Sequence, residues 1–348
     1  MLSGEMATVL TGRYLEINML PFSLAEASQF ADRLGNAEKI QDDFLKNGGY
    51  PETFTQRSIT QSYLQTLFDS ILYKDIVRRH KIRNATDLNN VAMFLLSNFT
   101  GTFSYNDVAD DLGLSSVSTT KKFMDYLHEP FLFYYLDRYN NKLKLMKKAP
   151  SKVYVVDNGF VASKAFNLSD NLGKLLENQV FVELLHRGYD TEKTLFYYHS
   201  RNDKETDFVL REGNKVKELI QVCYDMSKEK TIKREVDSIV ECAGELGCDN
   251  LTIVTWNEQR TIEKKATPSK LCLWVSFKPP LFTWRIADLL YSPPKGDFYV
   301  CRDLHLALTG RVPGIRDPFY RSGQALHFAA GGEPRVQEAG RRNRCSAL

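Results

Sequence analysis

A chain of 348 residues exceeds one typical hydrophobic core and is expected to form two or three domains. Its 46 basic residues nearly balance 43 acidic ones, for a formal charge of +3, so no global field argues for nucleic acid and any such binding must come from a local patch. No signal peptide opens the sequence and no apolar run reaches the roughly 18 residues of a membrane span, which argues against secretion and insertion and makes the cytoplasm the expected location.

Residues 1–30 (MLSGEMATVLTGRYLEINMLPFSLAEASQF) hold a helix-like stretch and then the alternating run YLEINML, as though the chain entered a domain midway; its amino terminus reads as truncated. Residues 31–85 form a helical region. Residues 40–82 read as two amphipathic helices after the turn Gly48-Gly49-Tyr50-Pro51, with SITQSYLQTLFDSILYKDIVRRH carrying apolar residues at helical spacing, where Tyr63, Leu67, Ile71 and Leu72 read as core.

Residues 86–150 fit a winged helix. A helix over DLNNVAMFLLSNF is followed by YNDVADDLG, capped at Ser104 and ended by Gly113, and then by SVSTTKKFMDYLHE. FLFYYLDRY and KLKLMKK alternate around Asn140-Asn141 and are expected to pair as the wing hairpin. In a DNA-reading version Ser118, Thr119, Lys121 and Lys122 face bases or phosphates, while wing residues Lys142, Lys144, Lys147 and Lys148 grip the backbone. The alternative is a packing module, which the aromatic wing strand favours.

Residues 151–262 are expected to run KVYVVDNG (strand), LLENQVFVELLHRG (helix), FYYHS, TDFVL and VKELIQV (strands), KTIKREVDSIVECAGELG (helix) and NLTIVTW (strand). Asp157 reads as the cap of the turn after its strand. Residues 263–348 change character: residues 296–348 contain no Lys but 8 Arg, with many Gly and Pro and no sustained periodicity. A disordered basic tail and translation in a shifted frame are both open readings. The cysteines show no CxxC and no His at ligand spacing, and read as free thiols.

The order helix, three strands, helix, strand in 151–262 resembles restriction-endonuclease-like domains. The fold class expected is therefore multidomain α+β or α/β: a helical region with a winged helix-turn-helix, then an αβββαβ nuclease-like domain. The resemblance implies a divalent ion held by a helix Glu, a strand Asp and a Glu-x-Lys on the next strand, here Glu177, Asp207 and the triplet Gln221-Val222-Cys223. An amide lacks the carboxylate charge and a thiol does not replace an ammonium, so this nuclease site reads as degenerate. Glu205 or Glu218 could stand in for the missing carboxylate, and Lys217 or Lys204 for the missing lysine.

The combination LSGEMATVLTGRYLEINMLPFSLAEA, GGYP, YLQTLFDSILYKDIVRRH, KVYVVDNG, LLENQVFVELLHRG, ETDFV and LIQVCYD, over residues 1–262, resembles prokaryotic AAA-type ATPases whose carboxyl-terminal domain of unknown function joins a winged helix to a nuclease-like fold. That resemblance implies ATP and Mg²⁺ only in full-length relatives. This sequence has no G-x-x-x-x-G-K-[ST], so no cofactor and no metal is expected here, and Arg13 alone is a candidate nucleotide contact. Three functions stay open: a non-catalytic binding or interaction module, a DNA-binding winged-helix regulator, and a metal-dependent nuclease. The expected partners are DNA through the winged helix, a protein, or a second copy of the chain; a membrane is not among them.

Overall fold

The computed structural model describes residues 18–34, 40–164, 171–256 and the backbone of 273–276. Arg13, most of the expected ATPase remnant and most of the expected tail lie outside the described residues.

The helical region opens with α1 (Leu24–Arg33), where Ser23 and Glu26 form a reciprocal capping box. Helix α2 (Ile40–Asn47) leads through Gly48-Gly49 to the short α3 (Pro51–Thr55), with Pro51 in its first turn. Helix α4 (Thr60–Ser70) widens into a π-helix over Ile71–Val77 that keeps Ile71, Leu72 and Ile76 in the core. Tyr63 and Leu67 pack against the same core as partly buried residues.

Helices α5 (Ala85–Ser97), α6 (Tyr105–Asp111) and α7 (Val117–His128) follow in the expected order. Ser104 caps α6 by accepting the Asp107 N–H, and Gly113 takes the left-handed conformation (φ +60°) that ends it.

The expected wing hairpin is not formed. Strand β2 (Phe133–Leu136) pairs instead with β3 (Ser151–Val155), which also pairs with β1 (Thr102–Phe103), giving the antiparallel order β1-β3-β2. KLKLMKK supplies a one-turn helix, α8 (Leu143–Met146), with Met146 buried and Leu143 and Leu145 exposed at 68% and 49%. The physical reason is competition for the edge of β2: Val153, Tyr154 and Val155 are fully buried when they pair there, whereas a KLKLM strand would place alternate lysines in the sheet. Strand β3 thus belongs to this first sheet, not to the nuclease-like segment that it was expected to open.

Helix α9 (Asn158–Lys164) and helix α10 (Leu172–His186) then lead into a second sheet. Its strands are β4 (Leu195–His199), β5 (Glu205–Glu212), β6 (Lys215–Val222), β7 (Leu251–Thr255) and β8 (Leu273–Ser276), in that spatial order. The first three are antiparallel. A crossover through α11 (Glu229–Leu246) makes β7 parallel to β6, and β8 continues parallel. Residues 273–276, expected within an atypical tail, are therefore the fifth strand.

Alternation along the strands gives this sheet two buried faces. Val209, Leu219, Leu251 and Ile253 pack with Val236, Ile239 and Cys242 of α11. Phe208, Leu210, Ile220 and Val254 join the larger core that contains Phe181 of α10 and Tyr154 of β3. The sheets are stitched together where the Tyr139 N–H donates to Tyr197 O (2.7 Å) and the Tyr197 N–H to Asp137 O (3.2 Å). No helix among the described residues is long and apolar enough to cross a membrane.

Candidate functional site

Three elements converge between the sheets. Strand β3 contributes Lys152 and Tyr154, α10 contributes Glu177 as its sixth residue, and β5 contributes Glu205 and Asp207. The Lys152 Nζ lies 2.9 Å from Glu177 Oε1, 3.0 Å from Asp207 Oδ1 and 2.5 Å from Glu205 Oε1, while its side chain is only 3% exposed. An ammonium has three N–H donors, and three carboxylates occupy them.

The oxygens are also fixed by groups other than Lys152. Tyr154 OH donates to Glu177 Oε1 at 2.9 Å, and the Val222 N–H donates to Asp207 Oδ2 at 2.9 Å. Gln221 accepts the Asp207 N–H through its amide oxygen (3.3 Å) and donates through its amide nitrogen to Glu235 Oε2 (3.1 Å). Both ends of that amide are thus in use within the protein. Cys223 is half-buried and donates weakly to Asp225 O; burial, followed by the charge of Glu235, pushes its thiol up to about 12.

Electrostatics tie the cluster into one unit. Burial works to discharge Lys152, but Glu177, Tyr154, Asp207 and Glu205 outweigh it and hold the ammonium well above the usual lysine pKa. Burial and then the Asp207 charge push Glu177 up to about 7, against the opposing pull of Lys152 and of the Tyr154 hydroxyl.

Glu177, Asp207 and Gln221 are therefore neighbours, and Cys223 lies just beyond them on the same chain segment. Of the weighed substitutes Glu205 joins the cluster, whereas Glu218 accepts from Thr252 and Lys217 pairs with Glu212. Lys152 was missed. The signal for it was a lone lysine inside an apolar strand, two residues before a tyrosine on the same strand face.

The divalent ion that the nuclease resemblance implies does not fit these residues. The space among the three carboxylates holds the Lys152 ammonium, and the next position offers an amide already committed to Asp207 and Glu235. Among the described residues no group of three or more His, Cys, Asp or Glu is arranged to hold a metal.

The residues expected to meet nucleic acid fall into two groups. Ser118, Lys121 and Lys122 are exposed on α7, while the Thr119 hydroxyl is engaged with those of Ser115 and Ser116 at the helix cap. Lys142 and Lys144 are exposed at and within α8, not on a paired wing. Exposed Asp107, Asp110 and Asp111 on α6 add negative charge to the helix preceding α7.

A second buried polar cluster holds the Gly48-Gly49 turn. Asp157 accepts the Gly49 N–H (2.6 Å) and the Gly159 N–H (2.7 Å), so it caps its own turn as expected and also holds the turn that follows α2. Asn158 donates to the carbonyls of Leu45 and Leu175, and Asn178 donates to Asn158 and Val155. Apart from the Asn178–Asn158 side-chain bond, the contacts named here run to backbone groups, which identifies the cluster as a structural latch.

Residues 38–171 match a domain of unknown function (DUF8612), and residues 172–271 match a second one (DUF4143). An uncharacterized protein of Methanocaldococcus jannaschii is 32% identical over 277 residues, which cover 74% of this chain and 61% of the relative. An uncharacterized protein of Haemophilus influenzae is 30% identical over 234 residues, covering 65% of this chain and 57% of the relative. The chain thus spans about three fifths of the length of the curated relatives it matches. No solved structure matches it. The site straddles the two matched domains: Lys152 and Tyr154 lie in the first, and Glu177, Glu205, Asp207 and Gln221 in the second.

Proposed function

We propose that this chain is a non-catalytic binding module of the kind that accompanies AAA-type ATPases, built from a helix-turn-helix-containing domain and a nuclease-like domain that does no chemistry. The observation that carries this reading is Lys152 Nζ within 3.0 Å of Glu177, Glu205 and Asp207. A hydrolytic metal needs those oxygens for itself, and its attacking water needs a lysine beside the phosphate, where this chain has Cys223. Support for the nuclease-like fold comes from the order of α10, three antiparallel strands, α11 and a parallel strand. Support for the ATPase association is the sequence resemblance over residues 1–262, together with relatives long enough to hold a further module.

A protein partner suits the module better than DNA. The wing is replaced by α8, and the acidic α6 precedes the α7 lysines, which weakens any phosphate-attracting field. The test is incubation of the purified chain with supercoiled plasmid and single-stranded oligonucleotide in Mg²⁺ or Mn²⁺. No cleavage is expected, and EDTA should leave thermal unfolding unchanged. Cleavage that disappears in Asp207→Ala would overturn the reading.

A further inference from the structure

We propose that Lys152 is the permanent cation of a divalent-metal position, supplied by the first matched domain to the second, and that removing its side chain leaves a site that binds Mg²⁺ or Mn²⁺ through Glu177, Glu205 and Asp207. The inference rests on the nuclease-like reading of the second domain and names what became of its metal position.

Three observations carry it. The three carboxylate oxygens surround one point, at 2.5 to 3.0 Å from the Lys152 nitrogen. Mg²⁺ takes oxygen ligands at about 2.0–2.1 Å, so the same oxygens need to close by roughly 0.5–1 Å, a small side-chain adjustment. For two of the three, placement does not depend on Lys152 alone, because Tyr154 OH holds Glu177 and the Val222 N–H holds Asp207. Lys152 and a metal cannot share that point. Charge points the same way: three carboxylates face one ammonium, and a divalent ion would balance them more fully than the lysine does.

The cluster also has a route to water. Lys152 and Asp207 are enclosed, but the Glu205 side chain is 37% exposed, so the site opens on that side. An ordinary buried ion-pair network differs in one consequence. Its loss of a lysine would only destabilise the fold, and no cation added from solution would compensate.

The experiment uses the full chain in metal-free buffer, with MnCl₂ as the probe, in Lys152→Ala and in Lys152→Gln, which is one atom shorter than lysine and carries no charge. The wild type should show no saturable Mn²⁺ binding in calorimetry, and its melting temperature should not respond to Mn²⁺ or EDTA. Lys152→Ala should melt lower in EDTA, recover most of that loss in Mn²⁺, and bind Mn²⁺ at least about tenfold more tightly than the wild type, which is about 1.4 kcal/mol. Lys152→Gln should move the same way by a smaller amount, and adding Asp207→Asn to either should abolish the gain. If both variants are unfolded in EDTA, return of a cooperative transition in Mn²⁺ supports the proposal and its absence counts against it. Saturable Mn²⁺ binding by the wild type that depends on Asp207 overturns it, as does a folded Lys152→Ala indifferent to Mn²⁺. DNA binding by the wild type whose salt slope depends on Lys121 and Lys122 would instead sink the protein-module reading and leave the Mn²⁺ result standing.

Discussion

The Lys152 ammonium and the Asp207 carboxylate lie 3.0 Å apart although 55 positions separate them in sequence, and the contact crosses from the first matched domain into the second. Both side chains are almost wholly enclosed. Breaking such a pair from one side leaves charge that neither water nor a partner compensates, which costs several times more than the pair contributes when intact.

Lys152→Met should therefore destabilise the chain by about 3–5 kcal/mol in urea unfolding, because Met fills the volume but strands the carboxylates. Combining it with Glu177→Gln and Asp207→Asn should return a large part of that loss. A triple variant no more stable than Lys152→Met would show that the lysine acts through packing, not charge.

The latch at Asp157 makes an equally local prediction. A Cβ on Gly48 would lie 1.7 Å from Asp157 Oδ1 in a backbone held at φ +77°, so Gly48→Ala has to displace the carboxylate or the turn. Asp157→Ala leaves the Gly49 and Gly159 N–H groups without their acceptor, at about 1–3 kcal/mol for each buried donor. Because both changes damage one contact, the double variant should cost clearly less than the sum of the singles, and strict additivity would refute the latch.

What the sequence revealed and what it hid separate by range. The Ser104 cap, the Gly113 turn and the helix-strand order around Glu177 and Asp207 are written within a few residues of themselves, and they stand where the pattern put them. KLKLMKK alternates as a strand should, yet β3 won the edge of β2 because its apolar residues gain more from burial there. Lys152 stood out only as a lone lysine in an apolar strand, and its role was hidden by distance. Its partners are 25, 53 and 55 residues away, and nothing beside it in the sequence announces them.

The pH dependence follows from two buried carboxyls. Burial pushes Asp157 up to about 7, against the two backbone donors, and burial with the Asp207 charge pushes Glu177 to about 7. A carboxyl whose folded pKa exceeds its unfolded value binds protons preferentially in the folded state. Its stabilising contribution is complete below the unfolded pKa and disappears as pH rises through about 7. Wild-type stability should thus gain from these groups between pH 8 and pH 5.5, with a smaller gain in Glu177→Gln, where Lys152, Glu205 and Asp207 remain as the facing charges. Identical pH profiles for the two proteins would remove Glu177 as a contributor.

The α7 lysines decide whether nucleic acid is a partner at all. Each lysine that neutralises a phosphate releases counterions, so losing one contact lowers the slope of log affinity against log salt by about 0.9 on duplex DNA. Exposed Lys121 and Lys122 sit one helix away from Asp107, Asp110 and Asp111, and Lys142 and Lys144 flank exposed Leu143 where a wing was expected. Opposed charge on α6 and a missing second grip leave little that could add up to a duplex footprint. Fluorescence anisotropy with a duplex at physiological salt should show only weak, sequence-independent binding, and Lys121→Glu combined with Lys122→Glu should leave its salt slope unchanged. A slope that falls by nearly two in that variant would restore the DNA-reading helix as this chain's working surface.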